Sequence, residues 1–349
     1  MPEACYPSPA GPADVAVVIP AFNSGAYLDQ ALASVAGQTV EPAAVVVVDD
    51  CSSDDTGERA RRWQGRLPLE LVRLERNRGP GVARRRAIRV TSTALLAMLD
   101  ADDFFLPDHL ETMAATYAAA PGLVSAQELA WYPGRGLVAP ASPGRSPRAS
   151  YQLGALLRHN FVNFGFFSRE LYELAGGFPD QYCCEDWLLW IRMVRAGARV
   201  TMASHPTAVH RVRPGSLSFD PARTAQSGID ALTAELRAAN SPAEAAAARA
   251  GLRALRGKLS FYRATELAAR GQPRKARRAA FEGLPGGGPR AAAGLLALLV
   301  APSSAARLER FTRSYRSPLD PQMSQRSPSS ADGEGDQVTG SPDGVTGSR

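Results

Sequence analysis

The stretch Leu95-Leu96-Ala97-Met98-Leu99-Asp100-Ala101-Asp102-Asp103-Phe104-Phe105-Leu106-Pro107 decides the fold. A short, fully apolar run bounded by turn chemistry predicts a strand of a parallel sheet covered on both faces. The carboxylates that follow fall just past its C-terminal end, where open α/β sheets bind ligands. Asp100 and Asp102 stand two apart, so strand geometry, where it continues, points both side chains the same way. Paired oxygens on a rigid element suit a hard divalent cation that substrate phosphates also hold. The competing reading is an Asp-rich loop capping a helix that Pro107 opens at about Asp108.

Outward from this strand the pattern repeats. Val15 to Pro20 is a first buried strand, followed by Ala21-Phe22-Asn23-Ser24-Gly25 and a helix with Leu28, Leu32 and Val35 on one face. Ala44 to Asp50 is a second strand ending in two carboxylates, and Cys51 to Thr56 supplies capping residues for a helix reaching about Trp63. Leu69 to Leu74 is a third strand, and the turn Asn77 to Gly81 opens a helix containing Arg84. Strand and helix alternate four times in about a hundred residues, which predicts a doubly wound, mostly parallel sheet with right-handed crossovers.

The middle is less regular. Gly122 to Trp131 is expected as a strand, 132–150 as a loop, Tyr151 to His159 as a helix and Phe161 to Phe167 as an aromatic-rich strand. A helix from Ser168 to Ala175 follows. Another opens at Cys184-Glu185-Asp186-Trp187, carries Trp187, Trp190, Ile191 and Val194 at helical spacing, and stops at Gly197. Arg199 to Ala203 and Thr207 to Val212 suggest two more strands. The expected organisation is a loose leader at 1–13, an α/β domain at 14–220, a helical extension at 221–315 and a disordered tail at 316–349, dense in Ser, Asp, Gly and Pro.

The composition narrows the function. With 45% hydrophobic and 21% charged residues the chain of 349 is globular overall, and a formal charge of +6 suits an anionic ligand. Lys258 and Lys275 are the only lysines, so the arginine excess reflects a residue preference and single arginine clusters carry less weight. The four cysteines show no C-x-x-C spacing, and adjacent Cys183 and Cys184 could pair only in a strained ring. Reduced thiols and a cytoplasmic location follow. The N-terminus lacks the pattern of a secretory signal, and the late apolar run Ala291 to Ala301 is too short to span a bilayer.

Several motifs in series resemble family 2 glycosyltransferases, over roughly residues 14–220. Val-Val-Ile-Pro-Ala-Phe-Asn-Ser is similar to that family's V-V-I-P-x-Y-N, and Val-Val-Asp-Asp-Cys-Ser-Ser-Asp-Asp-Thr to its V-V-D-D-x-S-x-D-x-T. Asn77-Arg78-Gly79-Pro80 with Ala83-Arg84 resembles N-x-G-x-x-x-A-R, and Leu-Asp-Ala-Asp-Asp resembles its D-x-D segment. Gly-Gly-Phe-Pro-Asp followed by Glu-Asp-Trp-Leu-Leu-Trp looks like the region with the catalytic carboxylate. One motif is weak evidence, and five in the right order are strong.

The resemblance implies a GT-A fold and inverting transfer from a nucleotide-diphosphate sugar, with a UDP-sugar favoured, to a sugar or lipid-linked acceptor. By the same resemblance the donor site includes Pro20, Phe22 (where Tyr is usual), Asn23, Asp50 for the base, Arg84, Asp100 and Arg213. Asp102, with Asp100, would hold Mg2+ or Mn2+ against the diphosphate. Asp186 would be the general base, with Glu185 its alternate. Two positions depart from the family: Arg213 stands where a metal-side His is common, leaving either His210 as the substitute ligand or Arg213 on the diphosphate, and Arg85 stands where Asn is common.

Structural readings compete at each position. Asp49 and Asp50 also suit a strand-end turn, and Glu185 and Asp186 suit a helix N-terminus. A sugar nucleotidyltransferase shares the topology but needs a Gly-rich basic loop where Pro20-Ala21-Phe22-Asn23 stands. A degenerate nucleotide-sugar-binding protein without turnover is the alternative function. Residues 251–290 hold ten Lys or Arg against two Glu. Without interleaved aromatic platforms this does not predict nucleic-acid binding, and it raises the hypothesis of peripheral contact with an anionic membrane.

Overall fold

The computed structural model describes residues 14–132, 136–140, 152–180, 183–213 and 220–283. In chain order the elements are β1 (Val15–Ala21), α1 (Gly25–Ala36), β2 (Ala44–Asp49), α2 (Thr56–Arg62), β3 (Leu69–Arg73), α3 (Pro80–Val90), β4 (Leu95–Met98), β5 (Phe104–Phe105) and α4 (His109–Ala119). There follow β6 (Leu123–Tyr132), β7 (Gly136–Pro140), α5 (Gln152–Leu156), β8 (Phe166–Ser168), α6 (Arg169–Leu174), α7 (Glu185–Arg195), β9 (Val200–Arg211), α8 (Pro221–Arg237), α9 (Pro242–Ala269) and α10 (Pro273–Gly283).

Successive residues of the Val- and Leu-rich strands divide between two cores, as the period-two geometry of a strand covered on both faces requires. Ala16 and Val18 of β1, Val46 and Val48 of β2, and Leu96 and Met98 of β4 face one core. Val15, Val17 and Ile19, Val45 and Val47, and Leu95 and Ala97 face the other. The first core is roofed by Ala83, Ala87 and Ile88 of α3 and by Trp187, Trp190 and Ile191 of α7. Ile229 and Leu232 of α8 and Leu252 and Leu259 of α9 join the same core. The second is closed by Leu28, Leu32 and Val35 of α1 and Leu110, Met113 and Tyr117 of α4. Arg195 of α7 adds a polar tie, its Nε donating to Glu244 of α9 at 2.7 Å while Nη1 pairs with Glu235 of α8.

The sheet order is β3-β2-β1-β4-β8-β6-β9-β5, with β7 paired to β6 off this path. β3, β2, β1 and β4 are all parallel neighbours, matching the expected alternation. Beyond β4 the sheet is mixed: β4–β8, β8–β6 and β9–β5 are antiparallel, and β6–β9 is parallel.

Four sequence-based expectations need correction. The expected loop at 132–150 contains β7, an edge strand whose Gly and Pro ends disguise it, since Pro is tolerated where no further ladder is needed. Of the expected strand Phe161 to Phe167, only Phe166 and Phe167 enter the sheet, as part of β8. Phe164 takes φ 48 and the Asn163 amide bonds the Ser125 hydroxyl at 3.0 Å instead of a ladder partner. The two expected strands at 199–212 are one, β9, whose register against β6 shifts around Pro206. Finally, strand geometry does not persist past Met98. Asp103 N–H donates to the Asp100 carbonyl at 3.0 Å, closing a turn, so Asp100 and Asp102 do not share a strand face. The leader at 1–13, residues 133–135, 141–151, 181–182 and 214–219, the expected helical extension from 284 onward with its Ala291 to Ala301 run, and the tail at 316–349 lie outside the described residues.

Candidate active site

The C-terminal ends of β1, β2 and β4 lie side by side, and most of the expected site residues follow them directly. Pro20 is within β1, and Phe22 just past it is 43% exposed. Asn23 holds a left-handed backbone with φ 47, and its side-chain oxygen accepts the Ser53 amide at 2.9 Å. The loop after β2 is thereby pinned to the loop after β1, with Cys51, also left-handed at φ 65, making the bend. Such strained residues persist only where their surroundings over-determine them.

Asp50 is buried at the end of β2. Its two oxygens accept the amides of Arg78 at 2.8 Å and Gly79 at 2.7 Å. Burial pushes its carboxyl up, with those two amides pulling it back. Gly79 has φ 86, a conformation an L side chain rarely adopts, and Pro80 then starts α3 with φ already set.

The first turns of α3 bring Arg84 into the interior. A Cβ on Gly81 would stand 2.9 Å from Glu185 Cγ, so glycine lets α3 approach the start of α7. Arg84 Nη2 pairs with Asp100 at 2.5 Å and Nη1 with Glu185, while the guanidinium lies 5.6 Å from the Phe178 ring centroid. Burial opposes the charge of Arg84, but Asp100 and Glu185 outweigh it and hold the pKa above the ordinary arginine value. Burial pushes the Glu185 carboxyl up, with Arg84 opposing and holding its charge. Asp186 is pushed up by burial as well, again against Arg84. Its Oδ1 accepts the Trp187 amide at 2.7 Å, and Asn160 Nδ2 stands 3.5 Å from Oδ2.

A second group forms around the turn after β4. Arg213 Nε donates to Asp102 Oδ2 at 2.8 Å, with its guanidinium 4.6 Å from the Tyr27 ring centroid. Arg211 lies 4.1 Å from the Trp131 centroid and 5.0 Å from that of Tyr27, and donates to the Asp102 carbonyl at 2.7 Å. His210 Nδ1 faces Asp103 at 3.2 Å. Burial pushes Asp103 up to about 7 despite His210. Burial also opposes the charge of His210, yet Asp103 lifts that imidazole to about 9.

The structure therefore brings Arg84, Asp100, Glu185 and Asp186 into one cluster and Asp102 with Arg213 into another. His210 is turned to Asp103 rather than gathered with Asp100 and Asp102. Among the described residues no group of three His, Cys, Asp or Glu side chains could hold a metal ion. The expected three-ligand set does not fit. A narrower arrangement does, with Asp102 as the protein carboxylate and diphosphate and water oxygens completing the shell, as Mg2+ commonly takes. Tyr27, Trp131, Asn160, Asp103, Arg211 and Gln30, whose Oε1 accepts from Arg211 at 2.6 Å, were not expected from the sequence. Asp103 belongs to the visible Asp run, and Arg211 to the His210–Arg213 stretch, but the aromatic and amide partners carry no local signal.

The order of the parallel strands and the ring of groups at their ends define a GT-A fold. Structural likeness agrees: Staphylococcus aureus TarS 1–349 in complex with UDP-GlcNAc superposes with a TM-score of 0.57 at 20% identity, covering 87% of this chain and 92% of that one. The mannosyltransferase PcManGT from Pyrobaculum calidifontis, in complex with GDP-Man and Mn2+, gives a TM-score of 0.56 at 22% identity over 92% of each chain. Residues 16–174 match the profile described as "Glycosyl transferase family 2", and the chain carries a domain of that family. The succinoglycan biosynthesis protein ExoO of Rhizobium meliloti is 30% identical over 223 residues, 59% of this chain and 62% of that protein. The chain thus spans under two thirds of that relative's length, and the match to ExoU of the same organism covers 30% of it.

Proposed function

We propose that the protein is an inverting glycosyltransferase that moves a sugar from a nucleotide-diphosphate donor, with a UDP-sugar favoured, to a hydroxyl of a growing polysaccharide or other glycoconjugate. The observation that carries this reading is Arg84, which joins the strand-end carboxylate Asp100 to the start of the helix bearing Asp186. Asp186 beside it is a half-buried carboxylate whose pKa burial raises, which suits a general base. The kinds of product named for relatives, such as succinoglycan, support a polysaccharide acceptor.

In this reading Pro20, Phe22 and Asn23 form the wall beside the nucleotide and Asp50 accepts from the base. Arg84 orients Asp100 on the donor side, and Arg213 leaves Asp102 to meet the diphosphate. A divalent ion, Mg2+ or Mn2+, on Asp102 would supply neutralisation of the charge building on the leaving group. Asp186 takes the proton from the acceptor hydroxyl as its oxygen bonds to the anomeric carbon. The bond from that carbon to the diphosphate breaks in the same displacement, so the configuration inverts.

Among the described residues no helix is long and apolar enough to cross a membrane. For a lipid-linked acceptor we place the protein at the cytoplasmic membrane surface, held by the basic residues of α9 and α10. Arg274, Lys275, Arg277 and Arg278 precede Phe281, which is 69% exposed. Residues 284–290 of the basic stretch lie outside the described residues. The decisive experiment incubates the purified chain with Mn2+ and a panel of nucleotide sugars, reading thermal stabilisation and nucleoside-diphosphate release. One donor class should stabilise the protein and release its nucleotide. Stabilisation without release, even with acceptor extracts, would favour a binding protein instead.

A further inference from the structure

Cys183 and Cys184 immediately precede α7 and take no part in the chemistry above. In the structure their Sγ atoms lie 3.8 Å apart. Consecutive side chains of an extended chain point to opposite faces. Cys184 instead takes a left-handed backbone, φ 63 and ψ 20, which turns the two thiols together. A non-glycine residue held there costs about 1–3 kcal/mol, so the surroundings enforce the pairing. Those surroundings come from α8. Cys184 Sγ is 3.8 Å from the Thr224 carbonyl oxygen, and Ser227 bonds the Cys183 thiol. The hydrogen bond from Cys184 brings the Cys183 thiol down to about 7, against burial and with help from Ser227. Cys183 and burial in turn push the Cys184 thiol up, so the pair gives up its first proton at Cys183, and thiolate is the form that binds metals.

Geometry points to the ligand. A tetrahedral soft cation with bonds of about 2.3 Å to sulfur separates two thiolates by about 3.8 Å. We propose that Cys183 and Cys184 form a vicinal-dithiol site that chelates one thiophilic divalent d10 cation of the zinc or cadmium type. Both S–H bonds break, two protons pass to water, and two sulfur–metal bonds form with no change of oxidation state. Among the described residues no third His, Cys, Asp or Glu side chain completes the shell, so water fills it. Thiolates favour such ions over Mg2+ and Mn2+, which keeps this site chemically distinct from the oxygen ligand Asp102. The inference does not depend on the transferase reading.

The test titrates the reduced full-length chain with Cd2+ and follows ultraviolet thiolate-to-cadmium charge transfer. One equivalent should bind per chain, and equally in Cys51→Ser. Cys183→Ser and Cys184→Ser should each lose the absorption and bind at least tenfold more weakly. A wild-type measurement stands beside the variants: phenylarsine oxide, selective for paired thiols, should displace the cadmium and leave its adduct on the peptide holding residues 183 and 184. No absorption at stoichiometric Cd2+, an absorption unchanged in both serine variants, or an adduct elsewhere in the chain overturns the site.

Discussion

Arg84 and Glu185, 101 positions apart in the chain, form a buried ion pair that fastens α3 to the first residue of α7. Both side chains are almost wholly removed from water, so neither charge is tolerable alone. Desolvation outweighs attraction for many buried pairs, but breaking one side leaves an uncompensated charge and costs about 3–5 kcal/mol. Arg84→Met should therefore destabilise the fold by about that much in urea denaturation. Adding Glu185→Gln should recover part of the loss, with a coupling energy of about 0.5–3 kcal/mol. Strictly additive single effects would mean that the pair contributes nothing as a pair.

The pair His210–Asp103 makes stability depend on pH. Against burial, Asp103 lifts the folded imidazole from its ordinary 6.5 to about 9, while burial pushes Asp103 itself up to about 7, so the charged pair contributes stability near pH 7 that is lost as pH rises through 9. Asp102 and Glu128 act on His210 in the same sense as Asp103, so the sign does not rest on one neighbour. The His210 side chain remains about a third exposed, which weakens the effect through solvent screening. Melting temperature should fall more steeply between pH 7 and 9 in the wild type than in His210→Gln. Parallel curves would remove the ion pair from the account.

These two relationships also show what the sequence makes legible. The Val and Leu runs of β1, β2 and β4 announce strands covered on both faces because both sets of alternate residues are apolar. Gly79-Pro80 announces the start of α3 because only glycine suits that φ and proline suits the first helical turn. The turn from Asp100 to Asp103 is hidden, since one local backbone hydrogen bond decides it and the residue types fit either geometry. The Asp102–Arg213 and Arg84–Asp100 pairs join separate elements. Spacing shows that carboxylates stand at a strand end, but not which arginine each will meet. Asn160 and Trp131 are placed by irregular backbone and by the β6–β9 pairing, and neither leaves a periodic trace.

The packing of α8 against the sheet carries a third expectation. Leu232 is fully buried in the core that contains Val18, Leu96 and Trp190. Leu232→Ala should cost about 2–5 kcal/mol, as truncation in a tightly packed core does. It should also broaden no transition, because one core spans both parts. Phe281→Ser on exposed α10 surface should change stability by less than about 0.5 kcal/mol. A separate early unfolding step in Leu232→Ala, leaving the sheet intact, would show that the helices fold as their own unit.

The last expectation separates catalysis from structure at Asp186. This carboxylate accepts the Trp187 amide and sits in the first turn of α7, so it could serve only to complement the helix N-terminus. Asp186→Asn keeps the size and an oxygen for that amide but cannot take a proton. If Asp186 is the general base, transfer should fall by at least about a hundredfold, the lower range for such groups. Donor affinity should barely change, because Asp50, Asp102 and Arg213 lie on other elements. Helix capping alone predicts the opposite: an amide caps about as well as a carboxylate, so both transfer and melting temperature would stay near wild type. Measuring donor affinity, acceptor transfer and melting temperature on one preparation distinguishes the two. Near-normal transfer would move the base to Glu185, whose carboxyl burial also pushes up but which must first let go of Arg84.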